Sequence, residues 1–139
     1  MSLHTLIKET CVKAVQQFYS ETIAADTITL QETRKEFEGD ITLVTFAFIK
    51  LSKKSPEETG KEIGTYLQAN IPEITAFNIV KGFLNLVIAD SYWLQQFQQL
   101  NTPQYGQLSA NGKKVMVEYS SPNTNKPLHL GHVRNNLLG

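Results

Sequence analysis

The sequence is poor in the features that mark secreted, membrane-spanning and polybasic proteins. It has a single cysteine, Cys11, which excludes an internal disulfide and a multi-thiolate metal site and favours a small core residue. No apolar run approaches the roughly 18–20 residues of a membrane span, and residues 1–4 lack the start of a signal peptide. Thirteen basic and thirteen acidic side chains balance, which excludes a polybasic protein but allows a local nucleic-acid contact. We therefore expect a reduced, soluble, cytoplasmic protein with no membrane partner.

Hydrophobic spacing and capping residues predict helices over much of the first hundred residues. The predicted helices span residues 3–19, 55–69 and 90–100. The second begins with the best signal, because Ser55, Pro56 and Glu58 combine an N-cap, a proline in the first position and a glutamate three residues after the cap. Its expected buried side chains are Ile63, Tyr66 and Leu67. Asp90 and Ser91 are expected to cap the third helix.

Short β-branched or alternating runs predict strands over residues 27–31, 75–80 and 83–89, the last two forming a hairpin around Lys81 and Gly82. Segment 41–51 has the composition of a strand, but its polar residues fall nearer a helical stripe, with Asp40 available as N-cap. We expect a helix there.

The chain changes character between residues 101 and 114, which are polar and rich in turn residues. This predicts a linker between one domain over residues 1–105 and the start of a second over residues 106–139. The apolar run 115–119 then predicts a buried strand of a parallel sheet. A polar loop and a helix over residues 133–138 follow it, which is the layout of a nucleotide site in an α/β sheet.

The residues after this strand carry side chains suited to a nucleotide. His129 and His132 share one face of the first helical turn, where they can donate hydrogen bonds to phosphate oxygens as charge builds up at the α-phosphate. Gly131 leaves room for a flat adenine ring, and Lys126 adds a positive charge. The side chains at the end of the strand suit a cationic polar ligand and are Glu118, Ser120 and Asn123.

Other interpretations of these residues stay open on sequence alone. The histidines could bind zinc, although no cysteine lies near them and the third histidine, His4, is distant in sequence, or they could be surface residues without function. Glu118 could be a capping or salt-bridge carboxylate. An aromatic residue in a strand, such as Phe83, usually belongs to a core. We predict no metal site.

Residues 117–132, Val-Glu-Tyr-Ser-Ser-Pro-Asn-Thr-Asn-Lys-Pro-Leu-His-Leu-Gly-His, resemble the first signature of class I aminoacyl-tRNA synthetases in its arginyl-tRNA synthetase form. The resemblance implies that His129, Gly131 and His132 bind ATP, that the two histidines act in catalysis, and that Lys126 joins them there by supplementing a poorly preserved second lysine motif further along the family's sequence. It also implies that Glu118, Ser120 and Asn123 hold arginine, and that ATP is a substrate accompanied by Mg²⁺.

The earlier residues resemble the extra N-terminal domain of the same family, which contacts the D-loop of the tRNA. Phe37-Glu38-Gly39-Asp40 is similar to the family's Phe-Gly-Asp with one residue inserted. Lys81-Gly82-Phe83-Leu84-Asn85 is similar to its Gly-Phe-Ile-Asn, and the resemblance implies tRNA binding by Lys81, Phe83 and Asn85. Stacking plus a base-edge hydrogen bond is how unpaired RNA is normally recognised. The family also implies a helix over residues 41–53.

The resemblance implies an α+β fold, with helices packed on a small antiparallel sheet, followed by the first strand and motif loop of an incomplete Rossmann-like catalytic domain. The expected function is that of the N-terminal part of a monomeric arginine–tRNA ligase whose partners are arginine, ATP and the tRNA for arginine. The 139-residue piece alone is expected to be inactive. The alternatives are a free-standing RNA-binding or interaction module, another class I synthetase, and a small nucleotidyltransferase.

Overall fold

In the computed structural model, residues 2–118, 122 and 124–138 are described. They divide into two compact units, Met1–Pro103 and Gln104–Gly139. Within the described residues, no helix is long and apolar enough to cross a membrane.

The first unit contains four α-helices and a four-stranded sheet. The helices are α1 (Leu3–Tyr19), α2 (Phe46–Ser52), α3 (Pro56–Asn70) and α4 (Asp90–Leu100). The strands are β1 (Leu30–Glu32), β2 (Ile41–Val44), β3 (Ile74–Val80) and β4 (Phe83–Ile88). The sheet is antiparallel throughout, in the order β1-β2-β4-β3. This architecture confirms the α+β prediction.

One face of the sheet carries the hydrophobic core. Side chains alternate between faces along a strand, so Leu43, Leu84 and Leu86 all point to the side covered by α1 and α3. Ile63 and Leu67 of α3 are buried there as predicted, whereas Tyr66 is half-buried. Cys11 is fully buried in the same cluster, which confirms it as a core residue.

The hairpin of β3 and β4 forms as predicted, around Lys81 and Gly82. Both residues have positive φ angles, 51° and 80°, as a two-residue type I′ turn requires. Space also restricts Gly82, because an added Cβ would approach Cε1 of the Phe46 ring to 2.9 Å.

The helix predicted over residues 41–51 is wrong in its first half. Residues 41–44 form β2, a central strand that bonds to β1 on one side and β4 on the other. Asp40 does not cap a helix: its N–H donates to the Leu86 carbonyl and its carboxylate accepts from the Ile88 N–H, each at 2.8 Å. Sheet partners from distant segments therefore override the local helical pattern, and the helix begins only at Phe46.

Three smaller predictions also need correction. The strand predicted over residues 27–31 is shorter and later, since Ala25–Thr27 is a 3₁₀ turn and β1 begins at Leu30. The third predicted helix, α4, forms, but its N-cap is Ala89 and no side chain caps it. The described part of the strand predicted over residues 115–119, residues 115–118, has no regular secondary structure. A strand exists through its ladder bonds, and none of the ladders among the described residues includes this segment.

The second unit contains one helix among its described residues, α5 (Leu130–Leu138). It confirms the helix that the sequence predicts, with the two histidines on its first turn and a continuation over residues 133–138. Both histidines lie at its N-terminus.

Candidate functional site

His129 and His132 cap the beginning of α5 reciprocally. Nδ1 of His129 accepts a hydrogen bond from the Gly131 N–H at 3.1 Å, and Nδ1 of His132 accepts one from the His129 N–H at 3.2 Å. This is the logic of a capping box, in which the N-cap side chain and the side chain three residues later each satisfy a backbone N–H of the first turn. The two imidazoles lie against each other, with centroids 4.0 Å apart and planes inclined by 38°.

These bonds determine which ring nitrogens remain for a ligand. A neutral imidazole has one donor and one acceptor nitrogen, and Nδ1 is the acceptor in both rings, so the proton of each lies on Nε2. The pair therefore presents two Nε2–H donors. An anion at this helix start would also meet the favourable end of the helix dipole.

Gly131 allows the His129 ring to fold back over the helix start. A Cβ at this position would lie 2.9 Å from Cε1 and 3.0 Å from Nδ1 of that ring. A side chain there would displace the imidazole and break its bond to the Gly131 N–H. The close approach of the His129 ring thus requires a glycine at position 131, in addition to the space for adenine that the sequence predicts there.

The other residues predicted from the motif are placed only in part. Lys126 is exposed in a turn over residues 124–126, and Glu118 is exposed in the irregular segment that precedes the loop. Ser120 and Asn123, the other two predicted arginine ligands, lie outside the described residues. Among the described residues, no group of three or more His, Cys, Asp or Glu side chains is arranged to hold a metal ion.

The open face of the sheet, opposite the core, carries a row of polar residues across all four strands. The register aligns Gln31, Thr42, Asn85 and Asn78, one on each strand. The Thr42 hydroxyl donates to Oδ1 of Asn85 at 2.7 Å, and Nδ2 of Asn85 donates to Oδ1 of Asn78 at 2.8 Å. Nδ2 of Asn78 in turn donates to the Glu38 carbonyl at 2.6 Å.

A pocket of about 110 Å³ opens on this face. The sheet forms its floor, the turn at Lys81 one side, and the loop between β1 and β2 another. Its lining residues are Gln31, Arg34, Phe37, Thr42, Val80, Lys81, Phe83 and Asn85.

Two of the three residues predicted to bind tRNA are accessible and the third is buried. Phe83 is partly exposed, and its ring stands nearly perpendicular to that of Phe46, with centroids 5.5 Å apart. Lys81 is exposed. Both Phe83 and Asn85 line the pocket, so they share a face as the alternation of the strand predicted. Asn85, however, is only 1% exposed, because its neighbours in the polar row surround it. Asn85 therefore lies in the floor of the pocket rather than at its rim.

Several residues of the pocket have no recognisable signal in the sequence. Phe37 belongs to a motif that implies no role for it, and nothing in the sequence pattern distinguishes Arg34 or Gln31. Their common location follows from the loop that joins β1 to β2, a segment whose path is set by long-range hydrogen bonds.

Two family models match the chain, one over most of the first unit and the other over the end of that unit and the whole of the second. Residues 96–139 match the catalytic domain of class I tRNA synthetases (R), which defines the class of protein. Residues 1–88, more than half of the chain, match the arginyl tRNA synthetase N terminal domain. The chain belongs to the arginyl-tRNA synthetase family.

Similar proteins agree with this assignment. The chain is 51% identical to an arginine–tRNA ligase of Bacteroides fragilis and 48% identical to one of Bacteroides thetaiotaomicron, in each case over its whole length. It spans 24% of the length of these relatives. Among solved structures, a Thermus thermophilus arginyl-tRNA synthetase matches with a TM-score of 0.59 and 24% identity, over 96% of this chain and 21% of that one. That likeness concerns the fold alone.

Proposed function

We propose that this chain supplies the tRNA-contacting domain, over residues 1–105, and the first ATP-binding motif, over residues 106–139, of a cytoplasmic arginine–tRNA ligase. The full reaction would activate arginine with ATP, accompanied by Mg²⁺, and transfer it to the tRNA for arginine. The observation that carries the proposal is the reciprocal cap of His129 and His132, a pair of oriented donors inside the matched catalytic domain. We propose that the enzyme acts as a monomer.

In the activation step, the arginine carboxylate attacks the α-phosphate of ATP and pyrophosphate leaves. The Nε2–H groups of His129 and His132 would donate to phosphate oxygens whose negative charge grows during this displacement. Donors held in place before the reaction stabilise such charge without a reorganisation cost. Lys126 would add a positive charge beside them. Glu118, Ser120 and Asn123 are proposed to hold the arginine.

The ATP–pyrophosphate exchange assay with arginine and tRNA tests this part of the proposal. In a full-length ligase that contains these residues, His132→Ala is expected to lower the exchange rate by about 10²–10³-fold, with tRNA affinity unchanged. The 139-residue chain alone is expected to give no exchange above background, because its described residues place no paired strand around the motif.

His132→Asn is the matched control. Its side-chain oxygen can take the place of Nδ1 and keep the cap of α5, but it has no group in the place of Nε2–H. A rate as low as that of His132→Ala assigns the loss to the missing donor. Full activity in both variants would remove His132 from the site, whereas activity restored by asparagine alone would reduce its role to capping.

In the first unit, Phe83 is proposed to be a stacking platform for an unpaired base of the tRNA, with Lys81 near the phosphates. Three observations support this: Phe83 lines an open pocket, it is partly exposed, and Lys81 lies two residues before it in the same turn. Asn85 would contribute from the floor of the pocket, because its bonds to Thr42 and Asn78 leave one of its two N–H groups for a ligand.

Binding of a tRNA transcript to the chain tests this role. Loss of one stacked base costs about 1–3 kcal/mol, so Phe83→Ala is expected to weaken binding by about five- to a hundredfold. The melting temperature should fall less than for a buried phenylalanine, whose replacement by alanine costs about 3–5 kcal/mol. Phe18 is 42% exposed on α1, outside the pocket, and Phe18→Ala is the matched control. Two results would contradict the proposed stacking role of Phe83: unchanged tRNA affinity in Phe83→Ala, or a loss of stability as large as that of a buried phenylalanine.

A further inference from the structure

We infer that the loop between β1 and β2 completes the base-binding pocket, with Phe37 as its second aromatic wall and Arg34 as a phosphate contact. The inference rests on the proposed tRNA-binding function and extends it to residues with no assigned role. The occupant is one unpaired nucleobase of an RNA loop together with a phosphate beside it.

The loop is held at several points, so the position of Phe37 is defined. The Phe37 N–H donates to the Arg34 carbonyl at 2.9 Å, which closes a turn between the two residues. Farther along, the Glu38 carbonyl accepts from Asn78, and the Asp40 backbone bonds to Thr33 and to Leu86. These bonds join the loop to β3 and β4, the strands that border the hairpin turn on the other side of the pocket.

Despite these anchors, Phe37 remains 39% exposed. A partly exposed aromatic ring contributes less hydrophobic free energy to folding than a buried one. Phe37 lines the same pocket as Phe83, and aromatic rings that border one opening offer a stacking surface to a flat ligand. Ligand binding therefore accounts for the exposure of Phe37.

The size and charge of the pocket select the ligand. Its volume, about 110 Å³, is smaller than the roughly 150 Å³ of a cavity that holds one benzene ring, so it has room for no more than one flat ring. Arg34 and Lys81 are donor-only cations at its rim, and both are exposed. Aromatic walls with cations beside them are the usual means of binding unpaired nucleotides.

The test measures binding of the 139-residue chain to a transcript of a tRNA for arginine, at several salt concentrations. Phe37→Ala is expected to weaken binding by about five- to a hundredfold, as for Phe83→Ala. Arg34→Gln is expected to weaken it less and to lower the slope of log affinity against log salt, because one phosphate contact is lost. Phe37→Leu keeps apolar bulk without the aromatic face and serves if the alanine variant does not fold.

The controls match each change in type and exposure. Phe18→Ala removes an equally exposed phenylalanine outside the pocket, and Lys35→Gln removes the exposed cation next to Arg34 that does not line it. Both are expected to bind within about twofold of the parent chain, because substitutions of exposed residues away from a site usually have small effects. If the folded Phe37 variants bind like Phe18→Ala while Phe83→Ala is impaired, this inference is overturned and the proposed function stands. If Phe83→Ala also leaves tRNA affinity unchanged, both this inference and the proposed tRNA-binding function of the pocket are overturned.

Discussion

Cys11 shows how strongly burial controls a single reactive group. Its side chain has no exposed surface on α1, and burial raises the pKa of the thiol from its ordinary 9.0 to about 12. The thiolate is the nucleophilic form of cysteine, so the folded state suppresses both access and ionisation. By linkage, the raised pKa contributes stability below the unfolded pKa, and that contribution is lost as pH rises through the folded value.

We therefore expect Cys11 to react with a thiol reagent only when the first unit unfolds. At pH 8, labelling of the native chain should be slower by several orders of magnitude than labelling in denaturant, where one equivalent reacts. The urea dependence of the labelling rate should follow the unfolding curve measured by circular dichroism. Rapid stoichiometric labelling of the native chain would show that α1 does not bury this residue.

The amide of Asn85 illustrates the same principle for a polar group. Buried amides are expensive unless their hydrogen bonds are made, and Asn85 bonds to both Thr42 and Asn78. The groups of Asn85 that can bind a ligand are therefore determined by its hydrogen bonds to its neighbours in the polar row, and not by how close it lies to the hairpin turn along the sequence.

Among the elements, α3 has the best-defined start. The Ser55 hydroxyl oxygen accepts from the Glu58 N–H, and the Glu58 carboxylate accepts from the Ser55 N–H. Hydrogen bonds from Ser55, first from its side chain and then from its backbone, lower the pKa of Glu58. A lowered pKa contributes stability above the unfolded value, and the contribution is lost as pH falls through the folded one.

Ser55→Ala is expected to destabilise the chain by about 1 kcal/mol, the usual effect of removing an N-cap. The loss should be larger at pH 7 than at pH 3, because the ionised Glu58 carboxylate also accepts a hydrogen bond from the Ser55 hydroxyl at 2.9 Å, which the variant cannot make and which protonation of Glu58 weakens in the parent chain. Thermal unfolding at both pH values measures this. Ser91→Ala is the matched control, since α4 has no side-chain cap, and it should change stability little. Equal losses of stability at pH 3 and pH 7 would show that the cap at Ser55 does not depend on the ionisation of Glu58.

Across the whole molecule, the two units differ in how far they are self-supporting. The first unit has a core built from α1, α3 and the sheet. In the second, none of the described residues from 104 to 138 is buried. Buried apolar surface is the main source of folding free energy, so the first unit has the means to fold by itself. The second provides a capped helix start, and the chain as a whole spans 24% of the length of the relatives it matches.

The sequence by itself determined the elements whose signals are local. The helical spacing of α1, the capping box of α3 and the turn at Lys81 and Gly82 each depend on residues within a few positions of one another. The motif around His129 and His132 was recognisable for the same reason, since its spacing lies within a single helical turn.

Tertiary structure decided the features that depend on distant partners. Residues 41–44 became β2 because β1 and β4 bond to both sides, which no pattern within the segment reveals. The burial of Asn85 and the location of Phe37 beside the pocket likewise follow from cross-strand bonds to Asn78. Side-chain periodicity states which residues share a face, but only the pairing of strands determines what covers that face.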